Sequence, residues 1–308
     1  MRRRTRTPAA PLPQREGVDP ARVRLPEDPE GVWATVGDHL RARFGGAIGA
    51  GRVDEMLRDG RFVGVRGPVS GQEPYDSGRY LWFHRDFPAE ERVPFGIGVV
   101  HRDERLVVVD KPHFLATMPR GRHVTETAMA RLRRELGLPE LQPAHRLDRL
   151  TAGLVLFVVR TEDRGAYQTL FRDRLVAKEY EAVAPHDPGL AFPVTVRSRI
   201  VKERGAPAAR EEPGEPNSES RIERVGHRGG LARYRLAPVT GRTHQLRVHM
   251  NSLGLPILHD PLYPDVCPDG PEDFTRPLQL LARTLEFTDP VTGVPRRFES
   301  RLRLSGLG

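Results

Sequence analysis

Apolar positions recur along the chain at two spacings, and the changes between them mark its elements. Trp33, Val36, Leu40 and Phe44 repeat at the interval of one helix face, and Gly45-Gly46 predicts where that helix stops. Val53, Met56 and Leu57 predict a second, shorter helix closed by Gly60, followed by strands over Phe62–Val65 and Tyr80–Phe83. Leu106–Asp110 reads as a strand that ends at Lys111-Pro112, because proline cannot continue a ladder. Thr125–Leu136 predicts an amphipathic helix with Leu132 and Leu136 on one face, Arg131, Arg133 and Arg134 on others, and Gly137 closing it. Leu154–Val159 is apolar at every position, as in a strand covered on both faces. Thr161 is expected to cap the next helix, with Glu162 and Asp163 in its first turn and Arg172 and Arg174 in its last. Strands are expected at Lys178–Val183, Val194–Val201, Ser220–Val225, Leu231–Leu236 and Leu280–Phe287, and a helix from about Thr243 to Leu253. Lys202–Ser220, rich in Pro, Glu and Gly, is expected to be an exposed loop, and residues 1–30 a disordered basic arm.

Composition narrows the class. A length of 308 residues suits one large domain with an appendage or two domains. The 38% hydrophobic content, with 29 prolines and 30 glycines, assigns part of that length to loop or tail. A net charge of +8 attracts polyanions, and nucleic acid is the first partner to consider. Lysine occurs only at Lys111, Lys178 and Lys202, so nearly all the positive charge is arginine, whose planar fork suits phosphate and stacks on bases. Cys267 is the only cysteine, which excludes an internal disulfide and a cysteine-based zinc cluster and fits a reducing cytoplasm. No apolar run approaches the roughly 20 residues of a membrane helix. The arginines at the N-terminus lack the apolar segment of a secretory signal, and a monomer is the default.

The stretch His145-Arg146-Leu147-Asp148-Arg149-Leu150-Thr151-Ala152-Gly153-Leu154 concentrates the candidate chemistry. Asp148 stands between two arginines just before the most apolar strand, and nearby positive charge favours its ionised form. An aspartate before a strand is commonly a turn or capping residue, so this stretch alone does not decide its role. Two other stretches change the balance: Lys178-Glu179-Tyr180-Glu181-Ala182-Val183, and Gly241-Arg242-Thr243-His244-Gln245-Leu246-Arg247. Together with Gly254-Leu255-Pro256-Ile257-Leu258-His259-Asp260-Pro261-Leu262-Tyr263, the three motifs resemble, in order and spacing, the RluA-type family of RNA pseudouridine synthases over roughly residues 100–303. His259 stands where that family usually has glycine, Leu281 where it usually has histidine, and His113-Phe114-Leu115 replaces its usual Pro-x-Gly-Leu continuation after Pro112.

The resemblance implies a mixed α+β catalytic domain around a largely antiparallel sheet over residues 97–308. Residues 31–96 form a small N-terminal region weakly similar to an alpha-L RNA-binding domain. It implies that Asp148 is the catalytic carboxylate, attacking C1′ of the ribose or drawing a proton from C2′. Arg247 would pair with it, and Tyr180 would lie against the uracil and relay the proton lost from C5. A base inside folded RNA must be flipped out, and Arg146 is the candidate for filling the gap, with phosphate binding as its simpler role. Arg149, Arg242, Lys178 and His145 are the further RNA-binding candidates, His145 more as a holder of the loop by a hydrogen bond. No cofactor or metal is required; His244 and His249, five apart on a helix, diverge. The expected partner is ribosomal or transfer RNA. An RNA-binding or ribosome-assembly factor on the same fold is the alternative, and a glycosidase would need a second carboxylate near Asp148.

Overall fold

The computed structural model describes residues 7–87, 89–267 and 272–306. The chain divides into two compact units, the first ending at Ala89 and the second beginning at Glu90, seven residues before the boundary expected from sequence.

In the first unit, β1 (Ala21–Arg24), α1 (Val36–Ile48), α2 (Ala50–Arg58), β2 (Val63–Gly64), β3 (Gly67–Pro68) and β4 (Tyr80–Phe83) form two helices and a small sheet of order β1-β4-β2-β3. β1 falls inside the stretch expected to be disordered. Val23 and Leu25 are buried while Arg22 and Arg24 point outward, so only two apolar residues carry the alternation and the surrounding charge hides it. Residues 1–6 of that stretch lie outside the described residues. Thr35 starts α1 with a capping box shared with Asp38. The helix passes through Gly45-Gly46 and stops at Gly49, whose φ of 86° favours glycine.

The second unit runs β5 (Gly98–Arg102), β6 (Leu106–Lys111), α3 (Ala128–Leu136), β7 (Gln142–Pro143), β8 (Ala152–Val158), α4 (Arg164–Arg172), β9 (Ala177–Pro185), β10 (Val194–Val201), β11 (Arg210–Glu212), β12 (Ser218–Arg228), β13 (Leu231–Pro238), α5 (Gln245–Ser252), β14 (Leu280–Thr288) and β15 (Pro295–Glu299). Its sheet has the order β11-β10-β12-β13-β9-β14-β8-β6-β5, with β15 beside β14 and β7 beside β8. Every pairing is antiparallel except that of β14 with β8, confined to Leu281–Ala152 and Ala282–Gly153. The family resemblance's largely antiparallel sheet is therefore the one observed.

Two layers cover the centre. Val107, Val109, Val155 and Phe157 face α3 through Met129 and Leu132, while Leu106, Val108, Leu154, Leu156 and Val158 face α4 through Tyr167 and Leu170. Both faces are dry, which is why the apolar run here has no polar alternation. Residues 202–220, expected as a loop, contain β11, which closes the sheet edge on β10 and buries Ala209. α4 begins after Asp163 rather than at Thr161, and the Asp163 carboxylate binds Arg105 at 2.6 Å instead of capping the helix.

Candidate active site

The loop between β7 and β8 carries Asp148, and the segment after β6 holds it. Thr117 Oγ1 donates to the Leu147 carbonyl at 3.0 Å and accepts from the Leu147 amide at 3.1 Å. His113 Nδ1 donates to the Leu150 carbonyl at 2.7 Å. Lys111, fully buried at the end of β6, donates to the carbonyls of Pro112 (2.9 Å), Leu115 (2.8 Å) and Arg149 (3.3 Å). Burial pulls the Lys111 ammonium down to about 7, against the attraction of Asp148. The Thr151 amide closes the turn on the Asp148 carbonyl at 3.1 Å. The chain then enters β8, where Gly153 has a φ of 108° and its backbone lies so close to β14 that a Cβ would meet the Ala282 carbonyl oxygen at 2.3 Å.

Ala282 also pairs with Tyr180 of β9, so Gly153, Ala282 and Tyr180 form one row across three strands. That row brings Tyr180 beside the Asp148 loop. Burial, and then the Asp148 charge, push the Tyr180 phenol up, keeping it protonated.

The opposite wall is the turn into α5. Gln245 fastens it: its Oε1 accepts from Thr240 Oγ1 (2.6 Å) and the Arg242 amide (3.0 Å), and its Nε2 donates to the Glu219 carbonyl and Ser220 Oγ, both at 2.9 Å. His244 takes φ 58° at the helix start. Tyr263 Oη donates to the Ala209 carbonyl, so the His244 Nδ1 contact at 3.0 Å is a donation to that hydroxyl. Burial brings the His244 imidazole down to about 4.

Arg247 does not make the direct pair with Asp148 expected from sequence. Its Nε and Nη2 bind the two carboxylate oxygens of Asp260 at 2.7 and 2.6 Å, with both side chains almost wholly buried. Burial opposes its charge, yet Asp260 first and Asp148 second hold the guanidinium above its ordinary value. Asp260 is nearer because it lies on the turn facing α5, where a bidentate fork fits. Asp148 acts on Arg247 through space, and no hydrogen bond from the described residues reaches its carboxylate.

Two clefts meet at Asp148. The larger, about 640 Å³, extends past Phe114, Arg120, Arg149, Lys202, His259 and Arg276; the smaller, about 160 Å³, lies between Tyr180, Lys178 and Arg242. Arg146, Asp148, His244 and Arg247 line both. Of the RNA-binding candidates, Arg146 and Arg242 are at the rim, Arg242 bonding the Asn217 carbonyl at 3.1 Å. Arg149 is ion-paired with Glu272, and Lys178 is half-buried beneath the Thr240 carbonyl. His145 is the exception. Its Nε2 accepts from the Leu156 amide at 3.1 Å, its ring lies 4.1 Å from that of Phe171, and burial lowers it to about 3, so it fastens the loop as a neutral side chain and lines neither cleft. Lys111 and Asp260 are site residues that the sequence alone did not single out. The available signals were a lysine next to Asp110 at the end of an otherwise apolar strand and an aspartate set among Ile257, Leu258 and Pro261. Among the described residues no group of three or more His, Cys, Asp or Glu could hold a metal ion, and no helix is long and apolar enough to cross a membrane.

Comparison with known proteins follows the same outline. The family described as RNA pseudouridylate synthase matches residues 105–252. The chain is 34% identical over 215 residues to the dual-specificity RNA pseudouridine synthase RluA of Pasteurella multocida, covering 64% of this chain and 89% of that one. It is 36% identical over 193 residues to human pseudouridylate synthase RPUSD2, covering 59% of this chain but only 33% of the human protein. Among solved structures, human RNA Pseudouridylate Synthase Domain Containing 1 superposes with a TM-score of 0.55 at 23% identity, over 71% of this chain and 94% of that one.

Proposed function

The chain belongs to the RluA-type family of RNA pseudouridine synthases, and from that premise we propose that it isomerises a uridine of ribosomal or transfer RNA to pseudouridine at Asp148. The observation that carries the proposal is an aspartate on a loop fastened by Lys111, His113 and Thr117, with its carboxylate open to two clefts walled by arginine. A rigid backbone and an unsequestered anion are what a group needs to reach the sugar of a flipped nucleotide. Asp148 takes the carboxylate role, by attack at C1′ or proton removal at C2′. Arg247, locked by Asp260, supplies a fixed positive field beside it without neutralising it by direct contact.

Tyr180, held as the phenol, takes the face of the uracil. As a neutral phenol it can stack on the ring and, being both acceptor and donor, relay the proton lost from C5. Arg146 fills the space vacated by the flipped base, and Arg242 binds backbone phosphate. The reaction breaks a C–N bond and makes a C–C bond within one nucleotide, so no cofactor is called for. We place the protein in the cytoplasm as a monomer.

The test is pseudouridine mapping by chemical labelling and reverse-transcription stops, on RNA from cells with the gene intact, deleted, or carrying Asp148→Asn. The expected result is one or a few uridines that lose the mark in both altered strains. A mark retained with Asp148→Asn but lost on deletion would favour the alternative, an RNA-binding or assembly factor whose presence rather than chemistry matters.

A further inference from the structure

Five described residues other than glycine have left-handed φ, and three of them, Phe114 (65°), His244 (58°) and His259 (62°), line the larger cleft. Side chains with a Cβ adopt that backbone at a cost that glycine avoids, and such strain is retained where the surroundings hold it in place. His244 is accounted for by the start of α5 and its bond to Tyr263. Phe114 is accounted for by packing: its ring lies 5.1 Å from Phe274, edge to face, and 6.3 Å from Phe95. It thereby docks the segment bearing Glu272, which pairs with Arg149. His259 has no comparable packing role. Nδ1 is 3.2 Å from the Pro277 carbonyl and must be the donor there, which fixes the ring and, in the neutral imidazole, makes Nε2 the acceptor. Nε2 has no protein partner among the described residues and is not buried. The residue that follows is Asp260, the anchor of Arg247.

We infer that His259 is a specificity-determining residue, accepting through Nε2 a hydrogen bond from the nucleotide beside the target uridine. The inference rests on the synthase reading. The donor it fits is a 2′-hydroxyl or a base N–H, amino or imino, the donors that an RNA strand crossing this wall presents. A basic wall of arginines holds any RNA; an oriented acceptor among them favours a strand with a donor at one place.

The test uses total RNA from cells lacking the gene, treated with purified wild type, His259→Gly or His259→Asn. Glycine relieves the backbone, and asparagine tolerates it while removing the ring. The uridine marked by wild type is then placed in short transcripts, one all-ribose and others 2′-deoxy at either neighbour. Both variants are expected to match or exceed wild type in melting temperature. At limiting RNA they should convert the target about tenfold more slowly, and at saturating RNA within about twofold of wild type, the pattern expected when a removed binding interaction raises KM and leaves kcat. If the wild-type advantage vanishes on a 2′-deoxy transcript, the donor is the sugar; if it persists, the donor is a base. Equal conversion by all three proteins, or a fall in rate that follows a fall in melting temperature, overturns the inference alone. No uridine marked by wild type overturns the synthase reading together with it.

Discussion

Arg247 and Asp260 form a two-residue unit whose members stand or fall together. Removing either leaves the other buried and uncompensated, so Arg247→Ala and Asp260→Ala are each expected to lower stability by about 3–5 kcal/mol. Because each single change already breaks the pair, the double variant should lose much less than the sum. Urea unfolding of the four proteins measures this coupling directly. Lys111 offers a second residue-level expectation, on the proton side. Its folded pKa of about 7 lies below the unfolded 10.5. Both states carry the proton below pH 7; between about 7 and 10.5 only the unfolded state keeps it, so stability should fall as pH drops through that window and be lower below pH 7 than above 10.5. A neutral amine has two protons for three carbonyls, and the 3.3 Å bond to Arg149 is the longest and the first to go. With three lysines in the chain, NMR of labelled lysine can follow Lys111 alone. Asp148→Asn removes the charge that favours the ammonium and should shift that titration lower still.

At the scale of elements, the contact of β8 with β14 decides where Asp148 and Tyr180 stand. Gly153→Ala would place a methyl group 2.3 Å from the Ala282 oxygen at a backbone angle disfavoured for alanine. The expected loss is several kcal/mol, well above the roughly 0.4–1 kcal/mol that a tolerated Gly→Ala change gains. It would appear as a shifted denaturation midpoint and a weakened signal for Tyr180 beside its neighbours. Much of this was legible in the sequence. The unbroken apolar run of β8 announced a strand covered on both faces, and the motifs around Asp148, Tyr180 and Arg247 lie where the sheet brings them into one cleft. What could not be read was long-range and polar. Asp260 lies 13 residues from Arg247 on another turn, and no local pattern reveals which of two aspartates a buried guanidinium will choose. Lys111 sat at the end of a strand whose apolar period already explained it. β1 and β11 were missed because each carries too few apolar residues in charged surroundings to register as a period.

For the whole molecule, the arginine excess sets an expectation about salt. Phosphates drawn into the cleft release counterions, so the affinity for RNA should fall linearly with salt on logarithmic axes. Arg120 and Arg122, at the mouth of the larger cleft, are positioned to meet such phosphates. Replacing both with serine should flatten that slope by about 0.7 for each phosphate that is no longer neutralised. Filter binding of one transcript over a range of potassium chloride concentrations provides the measurement; an unchanged slope would exclude both arginines from the RNA path.

β14 lies between β9 and β8 in the sheet, yet among the described residues it is the last strand but one in sequence order. During synthesis, β5, β6 and β8, with the Asp148 loop, emerge first, and β9 to β13, with Tyr180, follow as a separate block. α5, carrying Arg247, comes next. Nothing in the ladder joins the two blocks until residues 280–288 leave the ribosome and slide between them. Loops closed over more than a hundred residues make this a slow, non-local step. A nascent chain therefore holds every catalytic candidate well before it holds a cleft, and the cleft is complete only once residues 280–288 have taken their place between β9 and β8.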